Sequence, residues 1–361
     1  MAKPADSSAL AAPLTNAVAP DGYAAQVSSA KETAPDFERI TSLAHIYRCW
    51  CTTRRGKYGK DRVQRFDADA LRHLSQIQQR LHNGTFRFGP YRYFEIMDKK
   101  RRDVIDSPMK DRVVHRFLYD YLTAIWQKRF IPDSYGNIKG KGTLRAVQRA
   151  AQFAAKPENA YALHLDISKF FYAAPHAHIK TAVLRHVGDQ RIRDLLIQLI
   201  DSFQTDARYD HLFDVNSNYR KTSAKGMPLG NLTSQLFSNI LLSDIDHHAK
   251  EELRLRHYIR YVDDFLVFGG DAAQMHRIAA ALTDALAAIG LSVHPHKTII
   301  RPVASGIPFL GFVIWPHHLS AGKRVREQYH RALQKKDVVN NADVLQSYRA
   351  WMAHTGATRS M

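Results

Sequence analysis

Cysteine is scarce: Cys49 and Cys51 are the only two in 361 residues. A C-x-C pair with no further cysteine supplies neither a zinc site nor a disulfide framework, which suits a reducing cytoplasm. Long apolar runs are missing too. No stretch approaches the roughly 18 uncharged apolar residues that a membrane-crossing helix needs. Acidic residues are under-represented, 34 Asp+Glu against 52 Lys+Arg, for a net charge of +18. That imbalance points to a polyanionic partner, nucleic acid ahead of an anionic membrane. The rest is ordinary. A hydrophobic fraction of 45% and a charged fraction of 24% exclude generic disorder and fibrous architectures.

Residues 1–37 are rich in Ala, Pro and Ser and carry two Lys against Asp6, Asp21, Glu32 and Asp36. Without buried-face periodicity this segment reads as a disordered leader. It has no basic region followed by an apolar one, so a secretory signal is not expected. Subtracting its −2 from +18 leaves +20 on residues 38–361. From about 38 to 150 the chain is basic and is expected to be mostly helical, with apolar residues at helical spacing from Asp69 to Leu81. From 150 to about 315, β-rich runs (161–166, 257–268, 307–315) alternate with helical patterns such as 272–289. This alternation predicts an α+β layer with helices behind a sheet. The last stretch, 322–361, is basic and helical in pattern, with Tyr329, Leu333, Leu345, Tyr348 and Trp351.

The sharpest string is Tyr258-Ile259-Arg260-Tyr261-Val262-Asp263-Asp264-Phe265-Leu266-Val267-Phe268. Two β-patterned runs enclose adjacent carboxylates, which predicts a hairpin with the aspartates at its tip. Consecutive acids between apolar strands are costly to bury unpaired, and a hard divalent cation removes that cost. An acidic turn open to water satisfies the same string. In Leu163-His164-Leu165-Asp166, an apolar strand runs into a carboxylate and turns; alone, Asp166 reads equally as a turn or helix cap. Two strands delivering carboxylates to one point suit two metals roughly 3.5–4 Å apart, clamping the oxygens of an in-line phosphoryl displacement. The third string runs from Lys225 through Gly226-Met227-Pro228-Leu229-Gly230 to Asn239 and opens a helix reaching about Asp246. Its glycines let the backbone lie against a flat base pair or nucleotide, since no Cβ intervenes. By itself it is also simply a turn before a helix.

These strings, in this order, resemble the motifs of reverse transcriptases. Lys297-Thr298 stands like a motif D lysine, Phe309-Leu310-Gly311-Phe312 like the primer-grip hairpin, and Asp111-Arg112-Val113-Val114-His115 like a fingers segment. The resemblance covers roughly residues 40–355. Many members carry Pro-Gln-Gly and then Ser-Pro in the third motif; here Leu229-Gly230-Asn231-Leu232-Thr233-Ser234-Gln235 stands instead. That version resembles bacterial and phage reverse transcriptases of diversity-generating retroelements and of anti-phage defence systems. Ser347-Tyr348-Arg349-Ala350-Trp351-Met352-Ala353-His354 resembles the thumb end in that group.

The resemblance implies a right-hand polymerase in the α+β class. Fingers would occupy 38–150, a palm with an antiparallel sheet backed by helices and interleaved fingers elements 151–315, and a short helical thumb 316–361. It implies that Asp166, Asp263 and Asp264, with Ile167 as a further ligand, hold two Mg²⁺ ions, for which Mn²⁺ can substitute. Ser168, Lys169 and Phe170 fall where backbone amides meet triphosphate oxygens, and Phe171 where a bulky ring excludes a 2′-hydroxyl. Lys100, Arg102 and Arg112 align with cations that neutralise the triphosphate. Leu229, Gly230 and Gln235 line the nucleotide pocket, and a leucine that offers no hydrogen bond predicts low fidelity. Lys297 would be a general acid for the leaving pyrophosphate. Phe309, Leu310 and Gly311 would grip the primer, while Arg54, Arg55, Lys57, Lys323, Arg324 and Arg326 track phosphates. The pairs His294/His296 and His317/His318 read as surface, not zinc.

The function expected is therefore RNA-directed DNA synthesis in the cytoplasm. Substrates would be dNTPs, the product an RNA–DNA duplex, and the template a structured RNA encoded nearby, with an accessory protein. Two alternatives are a catalytically silent RNA-binding scaffold and a group II intron-like maturase. The first conflicts with three carboxylates in place; the second is expected to need a DNA-targeting extension beyond Met361.

Overall fold

The computed structural model describes residues 37–98 and 100–334, with backbone alone for 95–98, 100–104, 208, 218 and 332–334. Residues 1–36 of the expected leader, the thumb end with Leu345, Tyr348, Trp351 and the Ser347–His354 string, and Lys99 lie outside the described residues. Phe37, placed in the leader by composition, instead opens the helix Phe37–Ile40 and is buried.

The strands are, in chain order, β1 (Arg92–Asp98), β2 (Lys100–Asp106), β3 (Ser134–Tyr135), β4 (Tyr161–Asp166) and β5 (Tyr258–Tyr261). They continue with β6 (Asp264–Gly269), β7 (Ile299–Pro302), β8 (Ile307–Phe309), β9 (Phe312–Ile314) and β10 (Leu319–Ala321). Of the runs expected as strands, 161–166 and 257–268 form the centre of a five-stranded sheet ordered β3-β5-β6-β4-β7, whereas 307–315 supplies β8 and β9 of another sheet. All its pairings are antiparallel except that of β3, which runs parallel to β5. β8, β9 and β10 make a separate three-stranded antiparallel sheet.

Helices account for most of 38–150, but β1 and β2 pair as an antiparallel hairpin within it. The expectation of a mostly helical segment missed this. Strand-forming Tyr, Phe, Ile and Val sit on either side of the Lys99–Arg102 charge cluster, which masks the two-residue period.

Helix Ala70–His82 buries Leu74, Ile77 and Leu81 on one stripe, the spacing of an amphipathic helix. Helix Ala272–Ala288 is capped by the Asp271 side chain, which accepts from the Gln274 N–H at 2.7 Å. It lays Met275, Ile278, Leu282 and Leu286 on the sheet.

The central sheet is covered on both faces, which is why its strands read as continuous apolar runs rather than alternating ones. Leu163, Leu165, Phe265 and Val267 join the larger core with Leu282 and Leu286. Ala162, Ile259, Leu266 and Phe268 join a second core with Val147, Phe153, Ile307, Phe309 and Ile314. Side chains alternate along a strand, so His164 and Asp166 share the face of Ala162. Their β6 neighbour Asp264 shares the face of Leu266. This is the face that carries Phe309.

Candidate active site

Strand register brings the carboxylates together. Asp166 ends β4 directly opposite Asp264, the first residue of β6, and such cross-strand neighbours stand about 4.5–5.5 Å apart at Cβ. Asp263 occupies the two-residue turn between β5 and β6, closed by the Tyr261–Asp264 pair. Its turn neighbour Val262 has φ of +56°, a left-handed backbone that β-branched residues rarely adopt. The Ile167 N–H donates to the Asp263 carbonyl at 3.4 Å, tying the turn to the end of β4.

Lys297 arrives from a tight turn beyond β4. The His294 N–H donates to the Asp166 carbonyl at 2.7 Å, and the Lys297 and Thr298 N–H groups donate back to the His294 carbonyl at 3.1 and 3.2 Å. The Lys297 ammonium then pairs with the Asp166 carboxylate. His164 Nε2 lies 3.3 Å from Asp264 Oδ1. The Asp263 carboxyl is pushed up to about 6, first by burial, then by the charge of Asp264, with Asp166 adding to it.

Among the described residues no group of three His, Cys, Asp or Glu is drawn into a ready metal cage. Asp166 and Asp264 are instead turned to Lys297 and His164. The donor set nevertheless fits a hard divalent cation, which favours carboxylate oxygen and would offset the crowding of negative charge that raises Asp263.

The turn after β4 mounts the residues expected around a nucleotide. Phe170 is buried in the larger core and its ring meets that of Phe171 edge-on, 5.5 Å between centroids. Lys169 is exposed with φ of +48°. The Ile167 and Ser168 amides are already taken, Ser168 by the Ser292 carbonyl at 2.8 Å. Of the amides expected to meet triphosphate oxygens, that of Ser168 is thus engaged within the protein.

The Gly226–Gly230 loop docks on this turn. The Met227 N–H donates to the Phe171 carbonyl at 2.7 Å, and the Gly226 N–H to the Ala174 carbonyl at 2.8 Å. Leu229 and Gln235 are half-buried beside it and Gly230 is exposed. Gly226 has φ of +99°, and a Cβ there would stand 1.9 Å from Thr205 Oγ1. That hydroxyl donates to the Tyr172 carbonyl at 2.9 Å and is not free to swing away. Gly226→Ala is therefore expected to cost about 2–4 kcal/mol in strain and overpacking, read as a lower unfolding midpoint in urea.

The expected primer grip is a hairpin: Phe309 pairs with Phe312 across a turn whose residues Leu310 and Gly311 both have positive φ. Phe309 also meets the His164 ring edge-on, 6.3 Å between centroids, so this hairpin sits beside the carboxylates.

Among the expected phosphate-binding cations, Arg55, Lys57, Lys323, Arg324 and Arg326 are exposed. Arg54 is turned inward on Asp67, at 2.6 Å from Oδ2, and the Trp50 indole N–H shares that carboxylate at 2.8 Å. Arg112 is likewise engaged, with Asp106 and with the Ser107 carbonyl at 3.0 Å; burial and neighbouring Arg62 pull its pKa down to about 10. Lys100 and Arg102 lie on β2 with only their backbone described. His294 is half-buried, and His296, His317 and His318 are exposed.

Two features are not marked by the sequence pattern. His164 stands there as one member of an apolar string. Arg260 and Asp246 form a fully buried ion pair beneath the Val262–Asp263 turn. The available signal was a charged residue inside the apolar run Tyr258–Tyr261, since a buried charge requires a partner.

Carboxylates at the end of an antiparallel strand pair, a glycine-containing loop docked on the turn after one of those strands and a neighbouring hairpin are the parts expected of a polymerase-type site. The family model described as reverse transcriptase (RNA-dependent DNA polymerase) matches residues 97–314. The chain belongs to this family, whose members are RNA-directed DNA polymerases with a right-hand fold. It is similar to Protein YkfC of Escherichia coli (strain K12), 25% identical over an alignment of 276 residues that covers 66% of this chain and 70% of that protein. It is also similar to the putative COX1/OXI3 intron 1 protein of Saccharomyces cerevisiae, 22% identical over 195 residues. A third relative is the uncharacterized 91 kDa protein in cob intron of Schizosaccharomyces pombe, 25% identical over 301 residues. These matches take in 54% and 66% of this chain but only 22% and 35% of the two yeast proteins. Among the described residues no helix is long and apolar enough to cross a membrane.

Proposed function

We propose that this chain copies a dedicated structured RNA into DNA by two-metal nucleotidyl transfer at Asp166, Asp263 and Asp264. The supporting observation is the register that sets Asp166 against Asp264 with Asp263 in the adjoining turn. Mg²⁺, or Mn²⁺ in its place, would be held by these carboxylates with Ile167; when bound, it makes the primer 3′-hydroxyl a stronger nucleophile and neutralises phosphate charge.

The chain's own residues then divide the work. Lys297, paired with Asp166 in the metal-free protein, would on release give a proton to the leaving pyrophosphate. Phe171, held by Phe170 and by its carbonyl's bond to Met227, excludes a 2′-hydroxyl. Lys169 and Phe170 offer amides to the triphosphate, alongside cationic Lys100 and Arg102; Arg112, held by Asp106, is not counted among them. Phe309, Leu310 and Gly311 hold the primer end, and Arg55, Lys57, Lys323, Arg324 and Arg326 follow the duplex backbone. In this reading 38–150 serve as fingers, 151–315 as palm and 316–361 as thumb.

The test is incubation with Mg²⁺ and a primed RNA template, offering dNTPs or NTPs. DNA product from dNTPs alone supports the reading. No extension, or extension with NTPs alone, refutes it.

Leu229 and the Gly230–Gln235 string that follows favour a cytoplasmic retroelement or anti-phage system that uses an error-prone copy and an accessory protein. Leu229 cannot hydrogen-bond an incoming base, so Leu229→Gln is expected to lower misincorporation severalfold, measured by sequencing cDNA from a defined template. An unchanged error spectrum contradicts this. The names of the two yeast relatives favour a second reading, an intron-associated enzyme. Sequencing the RNA that co-purifies with the protein separates the two: a structured non-coding RNA supports the first, intron RNA the second.

A further inference from the structure

Arg260 and Asp246 are both fully buried. Arg260 Nε donates to Asp246 Oδ1 at 2.8 Å and Nη2 to Oδ2 at 2.6 Å, the bidentate arrangement that fixes a guanidinium in plane. Asp246 also accepts from the Tyr258 hydroxyl at 2.6 Å and from Ser134. Every oxygen of the pair's carboxylate is thus occupied, and the guanidinium cannot rotate. Its Nη1 is left pointing outward, where it donates to Asn239 Oδ1 at 3.0 Å and to the Val262 carbonyl at 2.8 Å.

A buried ion pair rarely gains stability over well-packed apolar side chains, so its presence here calls for another account. Val262 is held from three directions. Arg260 takes its carbonyl, the Tyr135 carbonyl takes its N–H at 3.2 Å, and its side chain sits over Gly136, where a Cβ would come within 2.6 Å of Cγ2. Asn239 completes the clamp by donating to the Gly136 carbonyl at 2.8 Å. A valine at φ +56° relaxes to the ordinary β region unless such contacts over-determine it. Relaxation would rotate the following peptide and, with it, the Asp263 side chain.

We propose that the Arg260–Asp246 pair is a positioning device: by fixing the Val262 carbonyl it sets where the Asp263 carboxylate points, and so whether a divalent cation is gripped. The inference rests on the reading of Asp263 as a metal ligand. Arg260 touches no substrate; it acts through the turn. Lysine in its place keeps the charge beside Asp246, but a single ammonium cannot also span to Val262 and Asn239.

The test is Arg260→Lys in the full chain, with Mn²⁺ binding followed by electron paramagnetic resonance. Mn²⁺ affinity is expected to fall about ten- to hundredfold, the usual loss when a metal ligand's outer support is removed. Turnover at saturating dNTP falls alongside it, while affinity for primed RNA template is unchanged. Adding Val262→Gly to that variant restores part of the Mn²⁺ affinity, because glycine adopts positive φ without help. A folded Arg260→Lys protein with wild-type Mn²⁺ affinity overturns the inference. If that variant does not fold, Gly136→Ala presses on Val262 from the opposite side with the ion pair intact; weakened Mn²⁺ binding supports the inference and unchanged binding overturns it. Undiminished Mn²⁺ binding by Asp263→Ala would remove the reading of Asp263 itself, and the inference with it.

Discussion

Asp263→Asn is expected to lower DNA synthesis on a primed RNA template about a thousandfold while leaving the melting temperature unchanged or higher. The opposite signs have one cause. Asp263 is crowded by Asp264 and Asp166 and desolvated, which pushes its pKa up to about 6. Removing its charge relieves that repulsion in the metal-free protein. Asparagine is isosteric and tolerates turn conformations, so the Val262–Asp263 turn need not move. What is lost is one anionic ligand, and metal ions contribute several kcal/mol to transition-state charge stabilisation. At about 1.4 kcal/mol per tenfold in rate, that loss corresponds to roughly three orders of magnitude. Single-turnover extension and thermal melting of the same preparation check both halves. A variant that loses activity only because it unfolds, or that keeps its activity, contradicts this account.

Phe171→Ala is expected to raise ribonucleotide incorporation relative to deoxyribonucleotide incorporation by one to two orders of magnitude. The ring is half-buried and backed edge-on by the fully buried Phe170. The main chain at Phe171 is pinned by Met227 at 2.7 Å. A rigidly mounted wall rejects an added hydroxyl by forced overlap, which costs about 1–3 kcal/mol, or roughly 5- to 160-fold in rate. Alanine leaves space where the ring stood and removes that overlap. Competition between a dNTP and its matching NTP for one template position reads the ratio directly. An unchanged ratio would show that the wall is elsewhere.

The reach of sequence reasoning followed the range of the interactions involved. Asp166, Asp263 and Asp264 were legible because each ends or interrupts an apolar strand run, and antiparallel pairing of those runs leaves little choice of register. The Phe309–Phe312 hairpin was legible for the same local reason. The β1–β2 hairpin was not, since its cationic tip breaks the pattern of its strands. Nor was the engagement of Arg54 and Arg112 foreseeable. Both look like free cations in the sequence, and only the fold shows that Asp67 and Asp106 hold them. The Arg260–Asp246 network draws on Ser134, Asn239, Asp246 and Tyr258, residues that no periodicity groups together. Side-chain partners separated by many residues are fixed by packing, and packing is not written in local pattern.

The most direct measurement is anomalous diffraction from crystals of the full chain grown with Mn²⁺, primed RNA template and a non-hydrolysable dNTP. Manganese peaks contacted by Asp166 and Asp263, with Asp264 adjacent and Lys297 released from Asp166, are the predicted result. Manganese bound elsewhere, or none between β4 and the β5–β6 turn, would contradict it.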